Sequence, residues 1–224
     1  MIRAIVTDIE GTTTAIAFVK ETMFPFAEAA LDEFLDTRGE DPEVAAILAE
    51  IGENPREKLR AWMAADAKVT ALKSLQGLIW AAGFADGRLK GHLWPDVAAS
   101  LRGWHAAGLT LAIYSSGSVG AQKLLFGHSV AGDLTPLFSF FFDTRIGPKR
   151  AAESYAGIAA QLGFESSEIL FLSDVAEELD AAAAAGLATC QLVRAEDGTM
   201  PSARHAQAAD FPDVTRLHGL PART

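Results

Sequence analysis

Two acids stand two residues apart where an apolar run ends. The segment Ile2-Arg3-Ala4-Ile5-Val6-Thr7 delivers Asp8 and Glu10, and Gly11-Thr12-Thr13-Thr14 follows at once. A carboxylate can attack phosphorus and carry the phosphoryl group as an acyl phosphate. A second carboxylate nearby can protonate the departing oxygen and then activate water. A cation between the two acids, or a proton on one, would relieve their repulsion. Later stretches supply matching groups. Ser115-Ser116-Gly117-Ser118 offers hydroxyls and N–H groups for phosphate oxygens, Gly147-Pro148-Lys149 offers a point charge, and Asp174 is followed by Glu177 and Glu178. Taken singly each has a plainer reading. The serines suit a turn, Lys149 a solvated surface, and Asp174 with Glu177 and Glu178 the start of a helix. Taken together in this order, they make a phosphoryl-transfer set.

The elements that must position this set can be read from pattern. Short apolar, β-branched runs predict strands over 2–7, 109–114, 138–142, 168–172 and 188–193. Helical spacing with glycine stops predicts helices over 97–107, 121–126, 150–162 and 177–185, with Asp96 as the N-cap of the first. Strands alternating with helices imply an α/β fold, a doubly wound parallel sheet with right-handed crossovers. Ligands in such sheets bind beyond the carboxyl ends of the strands, where Asp8, Ser115 and Asp174 fall. Between the first two strands the pattern is helical throughout: 18–35 with a kink or restart at Pro25, then 43–51, 56–68 and 70–82. That is too long for one crossover. Residues 1–15 and 95–224 are therefore expected to form the α/β core, with 16–94 an inserted helical cap. Beyond Ala195 the sequence reads as loop and a short tail element.

Composition narrows the class. Half of the 224 residues are hydrophobic, enough for a sizeable core. The net charge of −10 argues against nucleic acid as a partner, while leaving room for a locally positive pocket. A single cysteine, Cys190, leaves no internal disulfide and no cysteine zinc cluster. His92, His105, His128, His205 and His218 have no metal-ligand spacing. Asp8 breaks the first apolar run too early for a signal peptide, and no run approaches ~18 apolar residues. A cytoplasmic protein with no membrane partner is expected.

The ordered set resembles the haloacid dehalogenase-like phosphatase superfamily. That resemblance implies Asp8 as nucleophile and Glu10 as acid/base. It implies phosphate binding by Ser115 or Ser116 with Lys149, and a Mg²⁺ site of Asp8, Glu10 and Asp174. Gly11, Thr12, Gly117 and Glu178 would support these groups from the next layer. Most of these phosphatases have Asp where this chain has Glu10. That departure is similar to the enolase-phosphatase family of methionine salvage. So are Asp8-Ile9-Glu10-Gly11-Thr12-Thr13-Thr14, Tyr114-Ser115-Ser116-Gly117-Ser118, Ala121-Gln122-Lys123-Leu124-Leu125-Phe126-Gly127-His128-Ser129 and Phe171-Leu172-Ser173-Asp174-Val175. Ala15 and Pro148 are small departures. The resemblance implies a monomer that enolises 2,3-diketo-5-methylthiopentyl-1-phosphate and dephosphorylates the enol to acireductone. Glu10, one methylene longer than Asp, is the expected enolisation base. In the cap, Trp62, Met63, Trp80 and Phe84 could line a pocket for the methylthio tail or simply form core, and Lys73 and Gln76 could reach the diketo oxygens. A phosphatase of another small phosphomonoester is the alternative reading. A halide-releasing dehalogenase, which needs no metal, fits Glu10, Asp174 and Glu178 less well. A non-catalytic phosphate binder would be expected to lack Asp8, Glu10 or Lys149.

Overall fold

The computed structural model describes residues 1–221. The chain divides into two compact units, one of residues 1–16 and 91–224 and one of residues 17–90.

The chain opens with β1 (Ala4–Thr7), all four residues buried. A helical run then begins at α1 (Ile16–Phe18), passes through a π-helical turn (Val19–Met23) and continues as α2 (Phe24–Arg38). The Phe24 N–H closes the π turn on the Val19 carbonyl, and Pro25 follows in the first turn of α2, where its missing N–H leaves no bond broken. The break expected at Pro25 is therefore a π turn just before it. The unit is completed by α3 (Pro42–Ile51), α4 (Pro55–Ala64) and α5 (Thr70–Ala85), each of the first two opening on a proline at its N-terminus. Its core is built on Leu31, Phe34, Leu59, Leu72, Leu75 and Ile79. Trp62, Met63 and Trp80 pack partly buried against that core, and the Trp80 indole N–H donates to the Met23 carbonyl at 2.8 Å. Phe84 is 2% exposed and Gln76 is buried as well, whereas Lys73 is exposed. Phe84 is thus core rather than a free pocket wall.

The other unit continues with α6 (Val97–Ala106), β2 (Thr110–Tyr114), α7 (Val119–Gly127), β3 (Phe138–Phe142), α8 (Ala152–Leu162), β4 (Ile169–Ser173), α9 (Ala176–Ala184), β5 (Ala188–Leu192), β6 (Ala206–Ala208) and α10 (Phe211–Leu217). The six strands form one parallel sheet in the order β3-β2-β1-β4-β5-β6. Burial on both faces explains why the central strands read as unbroken apolar runs. One face packs Tyr114, Phe142, Tyr155, Ile158, Phe171 and Leu179 into a common core. The sheet order reverses at β1, so β1 and its neighbours open the crevice where such folds bind ligands.

Two sequence expectations change. The tail beyond Ala195 contains a sixth strand, and β6 at three residues is too short to show a period; its final residues, 222–224, lie outside the described residues. Asp96 occupies the N-cap position of α6 but makes no side-chain cap bond there. Its carboxylate instead faces Arg194 and the Phe211 N–H.

Candidate active site

Asp8 follows β1 directly, and its N–H extends the ladder by donating to the Leu172 carbonyl at 2.9 Å. Register fixes the acid at the sheet edge, 4% exposed. Carboxylate Oδ1 accepts the Ile9 N–H at 2.7 Å, which turns Oδ2 toward Lys149. The turn beyond folds on the Ile9 carbonyl, which receives the N–H groups of Thr12, Thr13 and Thr14 at 3.2, 2.9 and 2.9 Å. Gly11 is required here twice over. Its φ is +72°, and a Cβ at this position would overlap the Asp174 carboxylate.

Lys149 is the positive centre. Nζ lies 2.7 Å from Asp8 Oδ2 and 2.6 Å from Glu178 Oε2, with the side chain only 10% exposed. Burial alone would lower the ammonium pKa, but Asp8 and Glu178 more than reverse this, and it is raised. The loop that presents Lys149 is held by three hydroxyls. Tyr114 donates to the Gly147 carbonyl at 2.9 Å, Ser154 to Pro148 at 2.8 Å and Tyr155 to Lys149 at 2.7 Å.

Asp174 directly follows β4, and Glu178 stands in the first turn of α9. The Ser173 hydroxyl donates to Glu178 Oε2 at 3.0 Å and accepts the Val175 N–H at 3.1 Å. Burial, then the charge of Asp8, raises the Glu178 pKa against the pull of Lys149. Burial, then Asp8, pushes Asp174 up to about 7. Glu10 is raised for the same two reasons, with Lys149 opposing.

The serines after β2 divide. Ser115 is 1% exposed, and its hydroxyl accepts the Gly117 N–H at 3.1 Å, folding the loop. Ser116 is exposed beside it. Gln122 pins the same loop, its side-chain amide donating at 2.8 Å to both the Gly117 and the Phe142 carbonyls. The structure thus gathers Asp8, Lys149, Asp174 and Glu178, with Glu10 electrostatically linked to them and Ser115, Ser116 and Gly117 ending the strand beside β1. Ser154 and Tyr155 have no part in the sequence reading, and Gln122 and Ser173 enter it only within runs that carry the resemblance. The run Ser154-Tyr155, five and six residues beyond Lys149, was a signal available in the sequence.

Whether a cation suits this site can be tested on its atoms. Among the described residues no three acidic, histidine or cysteine side chains surround a ready-made metal position. Yet Asp174 Oδ1 is buried with no hydrogen-bond partner, beside a second carboxylate that repels it. A buried, orphaned carboxylate oxygen is costly unless a cation or proton meets it. Two carboxylates and backbone carbonyls are hard oxygen donors of the kind magnesium takes, with water completing its shell. The residues fit the ion.

The haloacid dehalogenase-like hydrolase family matches residues 2–186. The chain is 56% identical to enolase-phosphatase E1 of Granulibacter bethesdensis over 98% of this chain and 97% of that protein. It is 52% identical to enolase-phosphatase E1 of Pseudomonas aeruginosa over 95% of this chain and 98% of that protein. The crystal structure of the UTR4 protein of Saccharomyces cerevisiae superposes with a TM-score of 0.83 at 34% identity, covering 94% of this chain and 99% of that one. The chain belongs to the haloacid dehalogenase-like hydrolases and, within them, to the enolase-phosphatase family. Such hydrolases are generally metal-dependent. No helix among the described residues is long and apolar enough to cross a membrane.

Proposed function

We propose that this chain enolises 2,3-diketo-5-methylthiopentyl-1-phosphate and hydrolyses the enol phosphate to acireductone and phosphate, the reaction of methionine salvage. The observation that carries the phosphatase half is the pairing of Asp8 with Lys149 at 2.7 Å, with Glu10 two residues on. Asp8 Oδ2 attacks phosphorus as the ester P–O bond breaks, and Glu10 gives its proton to the departing enol oxygen. Water then loses a proton to Glu10 and attacks the phosphorus of the aspartyl phosphate, releasing phosphate and restoring Asp8. The raised Glu10 pKa is the direction a general acid needs. Lys149, with N–H and hydroxyl groups of Ser115 and Ser116, holds phosphate oxygens. Asp8, the Glu10 carbonyl and Asp174 would hold Mg²⁺, which supplies charge neutralisation for phosphate and enediolate.

For enolisation Glu10 is the base that takes the proton from the carbon beside the carbonyl. Its extra methylene relative to Asp gives the reach. The protein acts in the cytoplasm as a monomer on a small phosphate ester.

The test is a two-channel assay on the diketo phosphate with Mg²⁺ and then with excess EDTA, following enol absorbance and free phosphate together. Both signals are expected with Mg²⁺ and neither with EDTA, and Asp8→Asn should keep the enol signal while losing phosphate. Phosphate release without any enol signal would assign the chain to another small phosphomonoester instead.

A further inference from the structure

The turn carrying Asp8 and Glu10 is gripped by groups from the segment before α6 and from the loop after β5. Arg194, just past β5, is 4% exposed. Its Nη2 and Nε donate to the Thr12 carbonyl at 3.0 and 3.2 Å. Nη1 and Nη2 meet the two oxygens of Asp96 at 2.9 and 3.0 Å, and Nη1 also donates to the Ala209 carbonyl at 3.3 Å. The rings of Trp94 and Phe211 lie 5.3 and 5.7 Å from the guanidinium carbon. Asp96 is fixed in turn by the Phe211 N–H at 2.9 Å.

The neighbouring positions are held in the same way. The Trp94 N–H donates to the Thr13 carbonyl at 3.0 Å. The Thr14 hydroxyl donates to the His92 carbonyl at 2.6 Å, and the Ala15 N–H donates to His92 Nδ1 at 3.2 Å. The Ile16 N–H donates to Asp197 at 3.1 Å. Each residue from Thr12 to Ile16 thus has a partner in 92–94 or 194–197. Because the inner N–H groups of the turn are spent on Ile9, its outward carbonyl at Thr12 depends on Arg194. A guanidinium is suited to this: its planar fork serves one carbonyl and one carboxylate together, which an ammonium cannot do in that geometry.

We propose that Arg194, locked by Asp96, is a positioning residue for the reaction: it sets the turn so that Asp8 and Glu10 are aimed at the substrate. This rests on reading Asp8 and Glu10 as the reacting acids. Arg194, Asp197 and Phe211 all lie beyond residues 2–186, the span matched by the general hydrolase family. Displacing reacting groups by about 1 Å can cost on the order of a hundredfold in rate.

The experiment compares the full chain with Arg194→Lys and Asp96→Asn, measuring melting temperature, kcat and KM for phosphate release. Arg194→Lys, measured well below its own melting temperature, is expected to lower kcat by about tenfold to a hundredfold with KM within about twofold. Asp96→Asn keeps shape and an acceptor for Phe211 while losing the charge. It is expected to lower kcat in the same sense, and it carries the test if Arg194→Lys does not fold. An unchanged kcat in a folded variant, or a loss residing only in KM, overturns the proposal. Asp8→Asn run alongside separates the two readings. If it still releases phosphate at the parental rate, the assignment of the reacting acids fails. If it is inactive while Arg194→Lys is fully active, only the positioning role fails.

Discussion

Lys149 Nζ bridges Asp8 and Glu178, 2.7 Å from one carboxylate and 2.6 Å from the other, joining the loop before α8 to the end of β1 and the first turn of α9. Removing the ammonium would leave two buried carboxylates facing each other. Lys149→Met should abolish phosphate release and destabilise the protein by about 3 kcal/mol near neutral pH, the usual result of breaking one side of a buried pair. Glu178 already has a raised pKa and losing the ammonium raises it further, so proton uptake makes the difference shrink as pH falls. In the parent, the raised Lys149 pKa means its stabilisation is present at neutral pH and is lost only as pH climbs above the ordinary lysine value of 10.5. Urea unfolding of both proteins at pH 5 and pH 8 checks this; an equal difference at the two pH values would contradict it.

Gly11 and Asp174 exclude any side chain between them. Gly11→Ala forces a Cβ into the Asp174 carboxylate at a φ of +72°. The left-handed backbone alone should cost about 1–2 kcal/mol. The larger effect should fall on the metal, because Asp174 must move. Calorimetric titration with Mg²⁺ should show binding weakened at least tenfold, together with the lower melting temperature.

Metal binding should also depend on pH. Asp174 is pushed up to about 7 by burial and by Asp8, so the metal-free protein carries its proton below that pH. Mg²⁺ needs the carboxylate, so binding must release the proton. Affinity should fall about tenfold per unit as pH drops from 7 toward 5.5, and titrations in two buffers of different ionisation enthalpy should report about one proton released. A flat affinity over that range would refute the assignment of Asp174 as a ligand.

Tyr155 supplies the last of the three hydroxyls on the lysine loop. Tyr155→Phe keeps the buried ring against Tyr114 and Phe171 but leaves the Lys149 carbonyl without its donor. The expected loss is about 1–2 kcal/mol of stability. A fall in kcat should accompany it, since Lys149 loses a fixed base for its side chain. Denaturant unfolding with steady-state kinetics on the same preparation measures both.

The strand ends were legible because a buried parallel strand writes itself as an apolar run, and the residue ending it is polar for a reason. Asp8, Ser115 and Asp174 were placed on that logic alone, and the sheet edge carries all three. Arg194 was not legible. Its partners are the Thr12 carbonyl, which has no sequence signature, and Asp96, which stands 98 positions away. Asp96 itself looked like a helix cap because cap position and ion-pair partner demand the same residue type. The loop hydroxyls were hidden for a similar reason, since Ser154 and Tyr155 donate to backbone carbonyls. Phe84 shows the limit of composition: an aromatic at helical spacing reads alike whether it lines a pocket or fills a core.

The parallel register of β1 sets an order of assembly. Ile5 pairs with Leu111 on one side and Leu170 on the other. The first strand made is therefore the one that waits longest, its apolar face bare on the ribosome until its distant neighbours emerge. Residues 17–90, with a core of their own, can be complete long before then. Asp8 meets Lys149 and Asp174 only when β4 docks, so a stalled or truncated chain holds Asp8 without its partners. Such a fragment is a prime client for chaperones and an inert phosphatase, and catalytic competence arrives late in synthesis, as one event.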